Sequence, residues 1–189
     1  MLTDGTERGK ASRPMRERLL GGDLRSIAQA DEVAAGIKTQ RQFDVLFSLL
    51  HEGKRLLRMR SIDAIEKVTR RSPRFLAPHK DEILAFSRRA ANPEFKWHLA
   101  LLLSRLALTG RELDEVIDLL TRWALDKSES RIVRVNAIQS LHDLSERNPI
   151  YKVDFLAVID EVGKEQVPSL NARIRKLRVG RVDDHDERG

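Results

Sequence analysis

The sequence predicts an all-α chain, a right-handed α-solenoid of about four helix pairs behind an N-terminal capping helix. Three observations carry this. First, Leu57-Arg58-Met59-Arg60-Ser61-Ile62-Asp63-Ala64-Ile65 returns as Phe95-Lys96-Trp97-His98-Leu99-Ala100-Leu101-Leu102-Leu103 and as Val133-Arg134-Val135-Asn136-Ala137-Ile138-Gln139-Ser140-Leu141. A shorter copy follows as Leu170-Asn171-Ala172-Arg173-Ile174-Arg175-Lys176-Leu177, so the intervals are 38, 38 and 37 residues. A period in this range marks stacked helical units, since one pair cannot bury its apolar face alone. Second, aromatic residues make up only 5% of the chain and long alternating β-branched runs are absent, which argues against sheets. Third, each repeated segment is apolar around about 200° of helix, more than an ordinary surface helix buries.

The elements follow in order. Residues 1–23 carry five Gly and Pro residues among charges and are expected to be disordered. A capping helix is expected over 24–38, where Ile27, Ala30, Val33, Ala34 and Ile37 recur at helical spacing. The first pair holds Phe43, Leu46, Phe47, Leu49 and Leu50, breaks at Gly53 and resumes over 56–70. The second runs over 78–90, breaks at Asn92-Pro93 and continues to Leu108. Asn at the cap and Pro at the first helical position form a start signal, because Pro lacks the amide hydrogen that is unpaired there anyway. The third opens at Thr109, with Glu112 at capping-box spacing. It ends near Asp126, and its partner covers 129–146. The fourth holds Phe155, Val158, Ile159 and Val162, breaks at Gly163 and finishes near Leu177. The repeat array thus spans 24–180, and 181–189 is a charged tail expected to be disordered.

Within each second helix, with the first apolar residue as position zero, positions zero, four, eight and eleven fall within about 80° of arc. They hold Leu57, Ser61, Ile65, Val68; Phe95, Leu99, Leu103, Leu106; and Val133, Ala137, Leu141, Leu144. Positions three, six and ten lie outside that arc. They hold Arg60, Asp63, Lys67; His98, Leu101, Arg105; Asn136, Gln139, Asp143; and Arg173, Lys176. Alignment of these positions would make a polar, basic strip on the second helices, where stacked repeats commonly bind ligands. Position one carries Arg58, Lys96, Arg134 and Asn171 inside the apolar arc. Buried cations need partners, so each is expected to reach an acid or carbonyl of a neighbouring repeat.

The Val-Arg start and the Ala-rich apolar run of these helices resemble HEAT repeats over about 43–177. In detail, Arg58-Met59-Arg60-Ser61-Ile62-Asp63-Ala64-Ile65-Glu66-Lys67-Val68-Thr69, Lys96-Trp97-His98-Leu99-Ala100 and Ser130-Arg131-Ile132-Val133 resemble small uncharacterised bacterial HEAT-repeat proteins. The fourth copy departs, with Asn171 for Arg and Arg175 at an apolar position. The resemblance implies a fold and says little of function, because such arrays scaffold many unrelated partners.

Composition narrows the classes. No cysteine is present, which removes disulfides and thiolate chemistry and fits a reducing cytoplasm. No stretch has the length or apolarity to cross a bilayer. The five histidines form no His-x-x-x-His pair, and no phosphate-cradling glycine loop or nucleophile elbow occurs. Asp63 with Glu66, and Asp114 with Glu115 and Asp118, read as ion-paired faces because Arg60, Lys67 and Arg122 lie within a turn.

The expectation is therefore a non-enzymatic scaffold without cofactor or metal. It would bind a protein partner, one with an acidic segment, through Arg60, Lys67, His98, Arg105, Asn136 and Arg173. The competing expectation is nucleic-acid binding, from the net charge of +6, the basic strip, Trp97 and Asp63. Alkylpurine DNA glycosylases also consist of HEAT-like repeats, but no residue run here matches their catalytic positions. Trp97 and Trp123 are expected to pack in the core, with His98 facing solvent.

Overall fold

The computed structural model describes residues 15–20 and 28–179. Their regular structure is all helical, with no strand among the described residues. The chain divides into two compact units, residues 1–79 and 80–189, where the sequence suggested one continuous array.

The first unit contains α1 (residues 15–20), α2 (Ala28–Gly36), α3 (Gln40–Ser48) and α4 (Arg55–Arg71). Short 3-10 segments follow α3 at Leu49–His51 and α4 at Pro73–His79. Thr39 opens α3: its hydroxyl accepts from the Gln42 amide while Gln42 Oε1 accepts from the Thr39 amide, so two otherwise unpaired donors are satisfied reciprocally. Phe43, Leu46, Leu57, Ile62 and Ile65 are fully buried between α3 and α4. Phe75 stacks on Phe43 with ring centroids 5.5 Å apart. His79 stacks on Phe47 at 3.9 Å and bonds Asp44 through Nε2 at 2.7 Å.

Residues 15–20 depart from the expected disorder over 1–23. They form a helix, and Leu19 is completely buried. The reason is apolar: Leu19 and Leu20 sit at the end of a segment whose charges can face outward. Residues 1–14 and 21–23 of that expectation, and 24–27 of the expected capping helix, lie outside the described residues, as do 180–189.

The second unit comprises α5 (Lys80–Arg89), α6 (Pro93–Leu103), α7 (Gly110–Leu125), α8 (Arg131–Arg147), α9 (Lys152–Lys164) and α10 (Pro168–Val179). These helices form two layers. In one, α8 lies between α6 and α10. Ser140 of α8 donates to the Ala100 carbonyl of α6 at 2.8 Å, and Arg173 of α10 donates to Gln139 of α8 at 2.6 Å. In the other, α7 is bridged to α5 by Lys80–Glu112 and Arg88–Glu115, and to the turn before α9 by the Tyr151 hydroxyl on Asp114. Helix α8 is the centre of the unit, packing against α6, α7, α9 and α10. That explains its wide apolar arc, with Val133, Ala137, Ile138, Leu141 and Leu144 all buried.

The expected caps form. Asn92 accepts from the Glu94 and Phe95 amides at 3.0 and 3.2 Å, with Pro93 at the first helical position. Thr109 and Glu112 form the capping box. Three boundaries differ from expectation. Helix α6 ends at Leu103, not Leu108: the chain tightens through Arg105 N–H to Leu102 O and Leu106 N–H to Leu103 O, and Arg147 binds the Ser104 carbonyl. Pro78 lies inside a 3-10 segment, and α5 begins at Lys80. Gly163 does not break α9. It sits in the last turn, and the reversal comes at Gln166, whose φ of 54° is left-handed. Burial of Val162 beside the glycine offsets its weak helix propensity.

Glu112 supplies a pH test. The hydrogen bond from Lys80, then those from the Thr109 amide and hydroxyl, hold its carboxyl down at about 2 instead of 4.5. A depressed folded-state pKa stabilises above the unfolded value, and that stability is lost as pH falls through the folded value. Glu112→Gln keeps an acceptor for the cap but removes the charge. The variant should melt at a lower temperature than wild type at pH 7, with the gap closing between about pH 4.5 and pH 2. Thermal melts followed by circular dichroism check this, and a gap constant across that window would refute it.

Candidate functional site

The six residues of the expected strip fall in both units and do not share one environment. Arg60 is 7% exposed, and its Nη1 donates to the Leu19 carbonyl at 2.6 Å, which ties α4 to α1. Lys67 is held between Asp31 at 2.6 Å and Asp63 at 2.9 Å. Partial burial acts to lower its pKa, but the bonds to Asp31 and Asp63 outweigh that and raise it, so it stays charged with its charge already answered. In the second unit His98 is 3% exposed. Arg105 is half-buried in the turn after α6. Asn136 donates to the Ile132 carbonyl one turn back at 2.9 Å. Arg173 is half-buried on Gln139, which donates in turn to Asp143 at 2.7 Å.

Trp97 and His98 exchange their expected places. His98 is buried and Trp97 is half-buried, with the two rings stacked. The helical phase explains it. Position two lies about 160° from position zero, whereas position three lies about 60° from it. Accordingly Met59, Trp97 and Val135, all at position two, are half-buried together, while Arg60 and His98 at position three are buried. Trp123 packs in the core as expected, at 5% exposure.

Trp97 shares its face of α6 with Leu101, also half-buried. The Ser140–Ala100 bond sets α8 alongside in register, and the matching face of α8 carries Ile132, Asn136 and Gln139. Ile132 is 48% exposed. The result is a mixed surface on the layer of α6, α8 and α10: apolar at Trp97, Leu101 and Ile132, polar at Asn136 and Gln139, cationic at Arg173. Sequence reasoning set Leu101 on the strip without singling it out and missed Ile132 as a surface residue. The signal at Leu101 was an apolar residue at a phase where the other repeats carry Asp63, Gln139 and Lys176.

Position one behaves differently. Lys96 pairs with Glu129, and its ammonium lies 5.0 Å from the Trp123 ring centroid. Arg134 grips Glu165 with both Nη atoms at 2.9 and 2.8 Å, and its Nε donates to the Ala124 carbonyl at 2.8 Å. Arg134's hydrogen bonds hold the Glu165 carboxyl below its usual range. Lys96 and Arg134 therefore each join the first turn of one second helix to the residues just before the next. Asn171, half-buried in α10, takes the place in the last copy.

Among the described residues no three His, Asp or Glu side chains are grouped as metal ligands, and no helix is long and apolar enough to cross a membrane. Asp63, a residue of the nucleic-acid expectation, is bonded to Lys67 within the first unit.

Arg134→Ala would strand a nearly buried Glu165 and free the Ala124 carbonyl. Breaking one side of such a pair costs about 3–5 kcal/mol, so urea unfolding should report a loss in that range. Arg134→Lys should recover only part, since an ammonium cannot make the two-pronged contact. A loss near that of an exposed pair, below about 1 kcal/mol, would show that the contact is not a structural tie.

No family model, curated protein or solved structure matches the chain.

Proposed function

We propose that the chain is a non-enzymatic, HEAT-like α-solenoid scaffold of the cytoplasm that binds a protein partner through the surface of α6, α8 and α10. The succession of α6, α8 and α10 in one layer, with α7 and α9 in the other, supports the solenoid reading. One observation carries the binding reading: Trp97 is only half-buried beside Leu101, on the layer of α6 and α8 that also carries Asn136 and Gln139. Protein interfaces combine an aromatic anchor with a polar rim in this way. Tryptophan at a solvent-facing phase has a large apolar surface to bury on a partner. Arg173 at the border favours an acidic group on that partner.

The nucleic-acid alternative has less support. Of its four candidate cations, Arg60 and Lys67 are bonded within the first unit. The remaining two, Arg105 and Arg173, would give a log–log salt slope of only about −2.

Affinity capture from source lysate tests the reading. Wild type should retain a protein partner that Trp97→Ser and Leu101→Ser lose, with far-ultraviolet spectra unchanged. Retention of every partner by both variants would place the contact elsewhere. Duplex DNA binding with a slope much steeper than about −2 would favour the alternative.

A further inference from the structure

A second surface lies between α9 and α10. A groove of about 400 Å³ opens there, lined by Ile159, Asp160, Gly163, Lys164, Asn171, Ile174, Arg175 and Arg178. Its floor is apolar, from Ile159, Gly163 and Ile174. Its rim is mostly cationic.

Two features of this groove are not explained by the packing of the unit. The first is charge. Helix α10 carries Arg173, Arg175, Lys176 and Arg178 within twelve residues and no acid. Cations in the last turn favour the helix dipole, and Arg178 pairs with Asp160. Arg175 and Lys176, however, pair with no described residue, and both are exposed. Like charges at this spacing oppose one another. The second is Gly163. It occupies a helical turn where glycine is the poorest non-proline choice. Nothing lies within 4 Å of where a Cβ would stand, and its φ is not left-handed, so neither sterics nor backbone conformation requires glycine. What the missing side chain does is leave the groove floor open.

We infer that the groove between α9 and α10 docks an acidic, amphipathic peptide segment of a protein partner. Its apolar side chains lie over Gly163, between the buried Ile159 and Ile174, and its carboxylates face Arg175, beside the ion-paired Lys164 and Arg178. Lys164 pairs with Glu161 and Arg178 with Asp160, so charge complementarity selects the occupant at Arg175, which a neutral apolar peptide would leave unanswered. This surface is separate from the Trp97 face, so the two readings stand or fall apart.

The test titrates the full chain with a fluorescein-labelled amphipathic peptide of about 18 residues, Leu on one face and Glu on the other, followed by polarisation and amide chemical shifts. Saturable binding is expected, with shifts centred on Gly163, Asn171 and Ile174. Arg175→Glu should weaken it by about tenfold or more. Gly163→Leu should do the same while the melting temperature holds or rises, which separates filling of the groove from loss of fold. Trp97→Ser should leave it unchanged. The inference is overturned by no binding, by equal binding of Gly163→Leu, or by equal binding of the same peptide with Gln for Glu. Preferential binding of single-stranded DNA at these residues would also overturn it. So would peptide binding that emerges only on removal of residues 181–189, since Asp183, Asp184, Asp186 and Glu187 would then make the chain's own end the occupant.

Discussion

Arg134 enters α8 from its first turn, binds the last turn of α7 through the Ala124 carbonyl and reaches the C-cap of α9 through Glu165. One guanidinium thereby fixes three helices. The constraint behind it is geometric. Val133, Ala137, Ile138, Leu141 and Leu144 bury one broad arc of α8, so a cation at that phase must find its partners beyond the helix end. Lys96 solves the same problem one repeat earlier, with Glu129 as acid and Trp123 as aromatic wall. Both acids stand close before the next second helix, 33 residues beyond Lys96 and 31 beyond Arg134. The repeat length therefore records a charge pairing as well as an apolar pattern. An insertion between α7 and α8, or between α9 and α10, would separate cation from acid before it disturbed any apolar contact.

This pairing shows what was legible in the sequence and what was not. Arg134 and Lys96 stood out because charge recurred at an apolar phase, and that anomaly needs only the sequence. Their partners did not stand out. Glu129 and Glu165 lie in connecting segments, where an acid is unremarkable until the neighbouring helix is placed. Caps were readable for a related reason. Thr109 with Glu112, and Asn92 with Pro93, act within one turn, so sequence distance is spatial distance. The end of α6 was not readable, because Arg147, 43 residues away, takes the Ser104 carbonyl.

The strip failed as a single surface for a reason the helical wheel contains. Counting the apolar arc from position zero through position two treats the half-buried edge as interior and the opposite edge as surface. The true centre of burial is rotated toward position three. Arg60 and His98 then turn inward, and Trp97 turns out. A rotation of this size moves a side chain across the boundary only at the margins of the arc. That is why positions zero, four and eight were right and two and three exchanged. Candidate binding residues are drawn from those margins, so sites are less legible than cores even when the period is plain.

Net charge misleads for a parallel reason. The chain carries 35 cations against 29 acids, and much of that inventory is used inside the units. Lys67, Lys96 and Arg134 answer acids, and Arg60 answers a carbonyl. What can steer a partner is the residue of this accounting, and its location matters more than its size. In the second unit it gathers on α10, the last described helix, which carries four cations and no acid. The substitution of Asn171 for the recurrent cation fits that position. With no later acid among the described residues to receive it, a cation there would be buried at a cost, whereas an amide is not. The same absence leaves Arg175 and Lys176 facing outward. The last described copy thus differs in two linked ways, by an amide in place of the internal cation and by cations gathered on its exposed side.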